Sequence, residues 1–227
     1  MHELTGRHEI KHYINYADLM QLRSSLPLVM ERDEHSVNEH GYQVRSLYFD
    51  NYADKALLEK LNGVDEREKF RLRLYNGSPN LINLEKKSKC NGLSYKETAG
   101  ILQSACEALL KGDYSALGQA DNSLLMEFYA KLYFQQLRPR TIVEYEREAF
   151  KLSAGNVRVT LDHHIRSTSQ PGYFTSRSYP SLPLPDVCVL EVKYDHYLPE
   201  VVRAVTALSS RRSSSFSKYA VSRLNQE

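Results

Sequence analysis

Val187-Cys188-Val189-Leu190-Glu191-Val192-Lys193-Tyr194 reads as a β-strand. Alternation puts Val187, Val189, Glu191 and Lys193 on one face and Cys188, Leu190, Val192 and Tyr194 on the other. The second face is apolar and belongs to a core. The first carries a carboxylate and an ammonium two residues apart, aimed the same way. A single E-x-K fits a solvated edge strand equally well, but the spacing recurs in Glu9-Ile10-Lys11 and Glu85-Lys86-Lys87, each within a segment that can be read as a strand. Strands that each present Glu and Lys to one side imply a shared polar interior. The expected architecture is α+β: an antiparallel β-barrel, or tunnel, with a charged lumen and flanking helices.

Outward from that strand, the clearest alternation is Glu68 to Tyr75, with Lys69, Arg71, Arg73 and Tyr75 on one side and Phe70, Leu72 and Leu74 on the other. Cations in a row at period two repel by about 1 kcal/mol per close pair in water. A solvent-facing strand tolerates that; the alternative is a polyanion lying along the face. The Asn76–Asn80 stretch turns the chain into a returning strand at 81–88, and residues 92–98 add a short strand with Lys96. Tyr42–Phe49, Thr141–Phe150 and Asn156–Ile165 complete the strands. In Thr141–Phe150 the side with Glu144, Glu146 and Glu148 is expected outside. Helices are expected after Asn15, at 53–62, at 99–111 with Ile101, Leu102, Ala105 and Leu109 inward, at 122–137, from about Pro199 to Ser209, and at the C-terminal end. Residues 167–186 form a long connection.

Two metal motifs are weighed and set aside. His8-Glu9-Ile10-Lys11-His12 matches H-E-x-x-H, which holds zinc only on a helix. On a strand the two histidines stand about 13 Å apart, and Asn15 places the helix N-cap after the motif. His163-His164 is a tandem pair whose side chains diverge on a strand, so joint metal binding is not expected.

The bounds fit a single domain over residues 1–227. A net charge of +2 gives no bulk attraction to nucleic acid or an acidic membrane surface. Three cysteines without a C-x-x-C pair read as free thiols in a reducing cytoplasm, and no apolar run or signal-peptide core points to a membrane. Nine cations fall on candidate lumen positions: Lys11, Arg71, Arg73, Lys87, Lys96, Arg147, Arg158, Lys193 and Lys218. Four acids accompany them: Glu9, Glu85, Asp162 and Glu191. Burying that excess costs several kcal/mol per unpaired cation, so it requires an anionic ligand. Arg suits phosphate oxygens, and hard carboxylates suit Mg²⁺ or Mn²⁺, which together are the parts of a phosphoryl-transfer site. No P-loop or G-x-G-x-x-G is present, so side chains must hold the phosphates. Arg211 to Tyr219 resembles a phosphate-binding turn, or equally a polar linker.

These pieces resemble the triphosphate tunnel metalloenzymes, and within them the VTC-type polyphosphate polymerase domain. The matching motifs are R-H-E-I-K-H-Y-I, R-S-L-Y-F-D-N, K-F-R-L-R-L-Y, L-E-K-K-S-K followed by Lys96, V-E-Y-E-R-E-A-F, V-R-V-T-L-D, L-E-V-K-Y-D and S-F-S-K-Y, in order along nearly the whole chain. The resemblance implies transfer of the ATP γ-phosphoryl group to growing inorganic polyphosphate, with Mn²⁺ or Mg²⁺. Carried over by motif, the phosphate-binding residues are Lys11, Arg71, Arg73, Lys87, Lys96, Tyr145, Arg147, Arg158, Lys193 and Lys218. Arg71, Arg73, Lys193 and Glu191 are the catalytic group; Glu191 is the principal metal ligand, with Glu85 and Glu9 secondary. Two departures stand out: the opening strand lacks the doubled glutamate of E-x-E-x-K, and Ser215 stands where polymerase domains can carry a lysine. The chain resembles an isolated catalytic domain, without a regulatory helical domain or membrane helices; a membrane-protein partner is left open. A hydrolase of triphosphates on the same fold, and a silent polyphosphate- or nucleotide-binding module, are the rival functions.

Overall fold

The structure is a computed structural model that describes residues 6–36, 41–184, 187–208 and 217–225. The described residues form ten strands and seven α-helices. The strands are β1 (His8–Ile14), β2 (Glu31–Arg32), β3 (Tyr42–Asp50), β4 (Arg67–Tyr75), β5 (Ser78–Cys90), β6 (Leu93–Ile101), β7 (Arg138–Leu152), β8 (Val157–Thr168), β9 (Leu182–Pro183) and β10 (Cys188–Tyr194). The helices are α1 (Tyr16–Ser25), α2 (Lys55–Leu61), α3 (Gln103–Leu110), α4 (Ser115–Gly118), α5 (Ser123–Phe134), α6 (Glu200–Thr206) and α7 (Lys218–Leu224).

Local chemistry explains the main boundaries. Asn15 closes a capping box with Asp18, which starts α1 after the H-E-x-x-H residues have already run as strand β1. Asn76-Gly77 and Asn91-Gly92 all take positive φ, the requirement of a two-residue primed turn. The β4–β5 and β5–β6 hairpins are therefore tighter and longer than the expected loop at 76–80 and strand at 81–88.

All strand pairs are antiparallel, in the order β1-β10-β8-β7-β3-β4-β5-β6, with β2 added on β7 and β9 on β8. The expected barrel does not close by strand pairing. Among the described residues, the backbone bridge between the β1 and β6 edges is Arg7 with Ser94, whose two hydrogen bonds are 3.1 and 3.2 Å. The result is a curved sheet with α1, α3, α5 and α6 packed on its convex side. One outer core packs α3 and α5 on β3–β6 around Phe70, Leu72 and Phe128; another packs α1 and α6 on β8 and β10 around Leu19, Leu22, Leu190 and Val202. A smaller cluster on the concave side joins Tyr48, Tyr145 and Val189 to Tyr219 of α7. The Tyr219 hydroxyl donates to Asp50 at 2.6 Å and its ring stacks on Tyr48, which anchors α7 across the sheet.

Three expectations change. The helix expected at 99–111 begins only at Gln103, because Ala99 and Ile101 pair with Leu84 and Ile82 in the β5–β6 ladder, leaving Leu102 exposed. Tertiary pairing overrides local propensity there. Glu144 and Glu148 do lie on the convex side but are buried, not outside. Glu144 accepts from Arg45 at 2.6 Å and Arg166 at 2.8 Å; Glu148 accepts from Arg23 at 2.6 Å and meets His163 at 3.1 Å. His163 and His164 converge. The β7–β8 register shifts between Glu144 and Glu146, and His164 takes φ +49 in the bulge.

Candidate functional site

Period-two alternation in eight strands sends the polar faces of β1, β3, β4, β5, β6, β7, β8 and β10 to the concave side. They enclose a cavity of about 410 Å³. Among the described residues it is lined by eleven Lys and Arg side chains against two glutamates, Glu9 and Glu191. Every expected phosphate-binding residue lines it: Lys11, Arg71, Arg73, Lys87, Lys96, Tyr145, Arg147, Arg158, Lys193 and Lys218. Five tyrosines share the lining, which gives the Tyr-rich composition a location.

Register sets the charge pattern. Lys11 pairs with Glu191 and Glu9 with Lys193 across β1 and β10, so opposite charges alternate. Lys193 lies 2.6 Å from Glu191 Oε1, Lys11 lies 3.5 Å from Glu191 Oε2 and also against Glu9, and Lys87 is 2.5 Å from Glu9 Oε2. Burial and the neighbouring Glu191 would raise the Glu9 carboxyl; Lys11, Lys87 and Lys193 outweigh them and hold it well below the usual range. For Glu191, burial is again opposed and overcome by Lys11 and Lys193, leaving it ionised.

The second cluster is built on β4 and β5. Arg71 donates to Glu85 Oε2 at 2.7 Å, while Arg73 reaches Glu85 at 3.4 Å, Ser46 at 3.3 Å and the Tyr145 hydroxyl at 3.3 Å. Lys96, half-exposed, is 3.4 Å from Glu85. Glu85 is almost fully buried behind these cations and does not line the cavity. Its oxygens are taken up as a counter-ion. A third cluster is centred on Asp162, which accepts a bidentate pair from Arg147 at 2.7 and 2.8 Å and contacts Lys218. Lys218 also stands over the Tyr145 ring at 4.6 Å. Arg158 is held by Tyr42 at 2.9 Å and by Asp33 at 2.8 Å. Residues 211–216, including Ser215 and most of the phosphate-turn stretch, lie outside the described residues.

The positive charge exceeds its local compensation. Lys69, on the same face as Arg71, has no carboxylate within ion-pair distance among the described residues; its ammonium lies 5.8 Å from the centre of the Tyr48 ring. Burial first, then Lys87, Lys11 and Arg71, push the Lys69 pKa well below the ordinary lysine value. Burial and Lys11 likewise push Lys87 down to about 7 despite Glu9. The Tyr48 phenol moves the same way: burial alone would raise it, but Arg71, Arg73 and Lys218 lower it. Burial is the largest cause of the two lysine shifts and the neighbouring cations add to it, whereas the Tyr48 phenol, lowered against its own burial, reports the positive field directly. Lys69 was absent from the expected binding set although the alternation of Lys69-Phe70-Arg71 already put it there. Asp33 gave no sequence signal, since it sits in a polar stretch without periodicity.

His8 and His12 both lie on β1, where His8 stacks on Tyr194 at 5.1 Å, so the H-E-x-x-H spacing forms no helical zinc pair.

Solved structures share the architecture. A protein described as an adenylate cyclase candidate from Bacillus halodurans aligns with a TM-score of 0.52 at 12% identity, over 83% of this chain and 80% of its own. The PH1819 protein from Pyrococcus horikoshii aligns with a TM-score of 0.50 at 14% identity, over 97% of this chain and 99% of its own. At such identities the likeness concerns the fold. No curated protein matches the sequence. The sequence profile of the VTC domain matches residues 6–225, and the chain belongs to that family.

Proposed function

We propose that this chain is a polyphosphate polymerase that transfers the ATP γ-phosphoryl group to the end of an inorganic polyphosphate chain, acting as one unit over residues 1–227 in the cytoplasm. The observation that carries the reading is the cavity lined by eleven cations against two glutamates, with Lys69 lacking a carboxylate partner among the described residues. A polyanion supplies the missing charge, and the curved sheet would act as the tunnel through which it threads. ATP is the donor by analogy with the family.

Arg71 and Arg73 stand about 6.6 Å apart along β4, a separation that suits the ends of a triphosphate segment rather than two adjacent phosphates, which share one bridging oxygen. Their guanidinium groups are pre-aimed by Glu85, Ser46 and Tyr145, so little reorganisation is needed on binding. Arg147, held by Asp162, and Lys193, held by Glu191, neutralise charge at other phosphates. A terminal polyphosphate oxygen attacks the γ-phosphorus, the bond from that phosphorus to the β,γ-bridging oxygen breaks, and ADP leaves.

Glu9 and Glu191 fit a divalent cation better than Glu85 does. Both line the cavity and each is ionised, with Lys11, Lys87 and Lys193 as their present counter-charges. Mg²⁺ or Mn²⁺ bound there would polarise phosphate oxygens. Incubating purified protein with ATP and Mn²⁺ tests the reading. Long-chain polyphosphate on a gel together with ADP is expected. Free phosphate without polymer would make it a hydrolase; ATP binding without turnover would make it a binding module.

A further inference from the structure

Glu146, His163 and His164 bring one donor atom each into a triangle on the convex side of the sheet, opposite the cavity. Glu146 Oε2 lies 3.0 Å from His164 Nδ1 and 3.6 Å from His163 Nδ1, and the two ring nitrogens are 3.2 Å apart. We infer that this trio binds a first-row transition-metal cation of the Zn²⁺ class, independently of the phosphate site.

Size is the first argument. A cation about 2.0–2.1 Å from each donor at tetrahedral angles separates the donors by roughly 3.3 Å, and the three edges bracket that value. Donor chemistry is the second. Two imidazoles and one carboxylate suit Zn²⁺, Co²⁺ or Ni²⁺ and discriminate against Mg²⁺, which prefers oxygen. The third is the shell behind the trio. His163 Nε2 lies 3.1 Å from Glu148 Oε1, and Glu148 is fully buried and clamped by Arg23 at 2.6 Å. A carboxylate so placed only accepts, so His163 carries its proton on Nε2 and turns the Nδ1 lone pair toward the other two donors. His163 itself is buried, whereas the His164 and Glu146 side chains are 69% and 45% exposed. That leaves an entry path and room for a water as fourth ligand.

The backbone shows what holds the trio together. Consecutive strand side chains diverge, but the β8 bulge and the left-handed His164 turn both rings to one side, with their planes at 81°. A bound cation pins β7 to β8 at this bulge. It does so one residue from Arg147, which lines the cavity, and one residue from Asp162, which holds Arg147 from beneath.

Co²⁺ titrated into the intact protein in excess Mg²⁺ tests the site, since Mg²⁺ fills oxygen-only sites and leaves imidazoles free. One equivalent should bind with the visible absorption of a nitrogen-ligated Co²⁺, and Zn²⁺ should displace it and raise Tm. His164→Asn, which tolerates the left-handed backbone, and Glu146→Gln, on an exposed side chain, should each weaken binding at least about tenfold. Absence of stoichiometric binding, or unchanged affinity in both variants, would overturn the site and leave the trio a hydrogen-bond cluster.

Discussion

The two faces of the same strands solve opposite electrostatic problems. On β7, Glu144 and Glu148 point to the convex side, where Arg45, Arg166, Arg23 and His163 match them. Arg147, two residues along from each face-mate, points into the cavity, where cations outnumber acids. The convex pairs are held on several sides: Arg45 also donates from Nη1 to the backbone oxygens of Phe174 and Ser176 at 3.0 and 2.6 Å, tying that segment to the sheet. The concave cations are left with positive charge to spare. Balanced buried charge is structure, and unbalanced buried charge is a site awaiting a ligand.

The largest effect should come from Glu191→Gln. It removes a cavity carboxylate while preserving shape. Turnover should fall on the order of a thousandfold while ATP affinity stays within a few-fold, because the cations still hold the triphosphate. Parallel kinetics and calorimetry check this; full activity in Mn²⁺ would remove Glu191 from the metal role.

Next is a direct contrast between the faces. Arg45→Met leaves buried Glu144 with only the half-exposed Arg166 as partner and frees the backbone oxygens of Phe174 and Ser176, so it should cost about 2–3 kcal/mol in urea unfolding. Arg73→Met leaves Glu85 still paired with Arg71 and Lys96, relieves like-charge crowding, and should change stability by less than about 1 kcal/mol while abolishing turnover. Equal destabilisation by both would erase the distinction between the faces. Smaller again, Arg73→Lys keeps the charge but loses the fork that reaches Ser46, Glu85 and Tyr145. Turnover should drop on the order of a hundredfold, more than ATP affinity does; equal losses in both would mean uniform binding only.

Much of the concave face was legible in the sequence because a strand's side chains alternate without exception unless the ladder slips. That is why Glu9, Lys11, Arg71, Arg73, Lys87, Glu191 and Lys193 could be placed together, and why Lys69 should have been. The convex face was harder to read. Glu144 and Glu148 looked solvated because their partners Arg45 and Arg23 are far away in sequence and reach them only through the fold. The His163-His164 pair depends on a one-residue slip between β7 and β8, and α3 starts late because β6 keeps its partner; neither leaves a local mark. Closure was the overreach: a charged interior is also met by a curved open sheet whose edges touch at Arg7 and Ser94.

The most direct test of the unbalanced face counts protons. Lys87 is pushed down to about 7 in the free protein, so above about pH 7 it is partly neutral; Lys69 is pushed well below the ordinary lysine value by burial and its cationic neighbours. A bound polyanion favours their charged forms and raises both. Below about pH 7 the proton on Lys87 is already present and it takes up none; above it, binding takes up a proton there and affinity falls by up to about tenfold per pH unit through Lys87. Calorimetric titration of ATP at pH 8, in two buffers of different ionisation enthalpy, should show net proton uptake that disappears in a Lys69→Met, Lys87→Met double variant. Binding without uptake in the parent protein, or uptake unchanged in the variant, would contradict the claim that this cavity is short of negative charge.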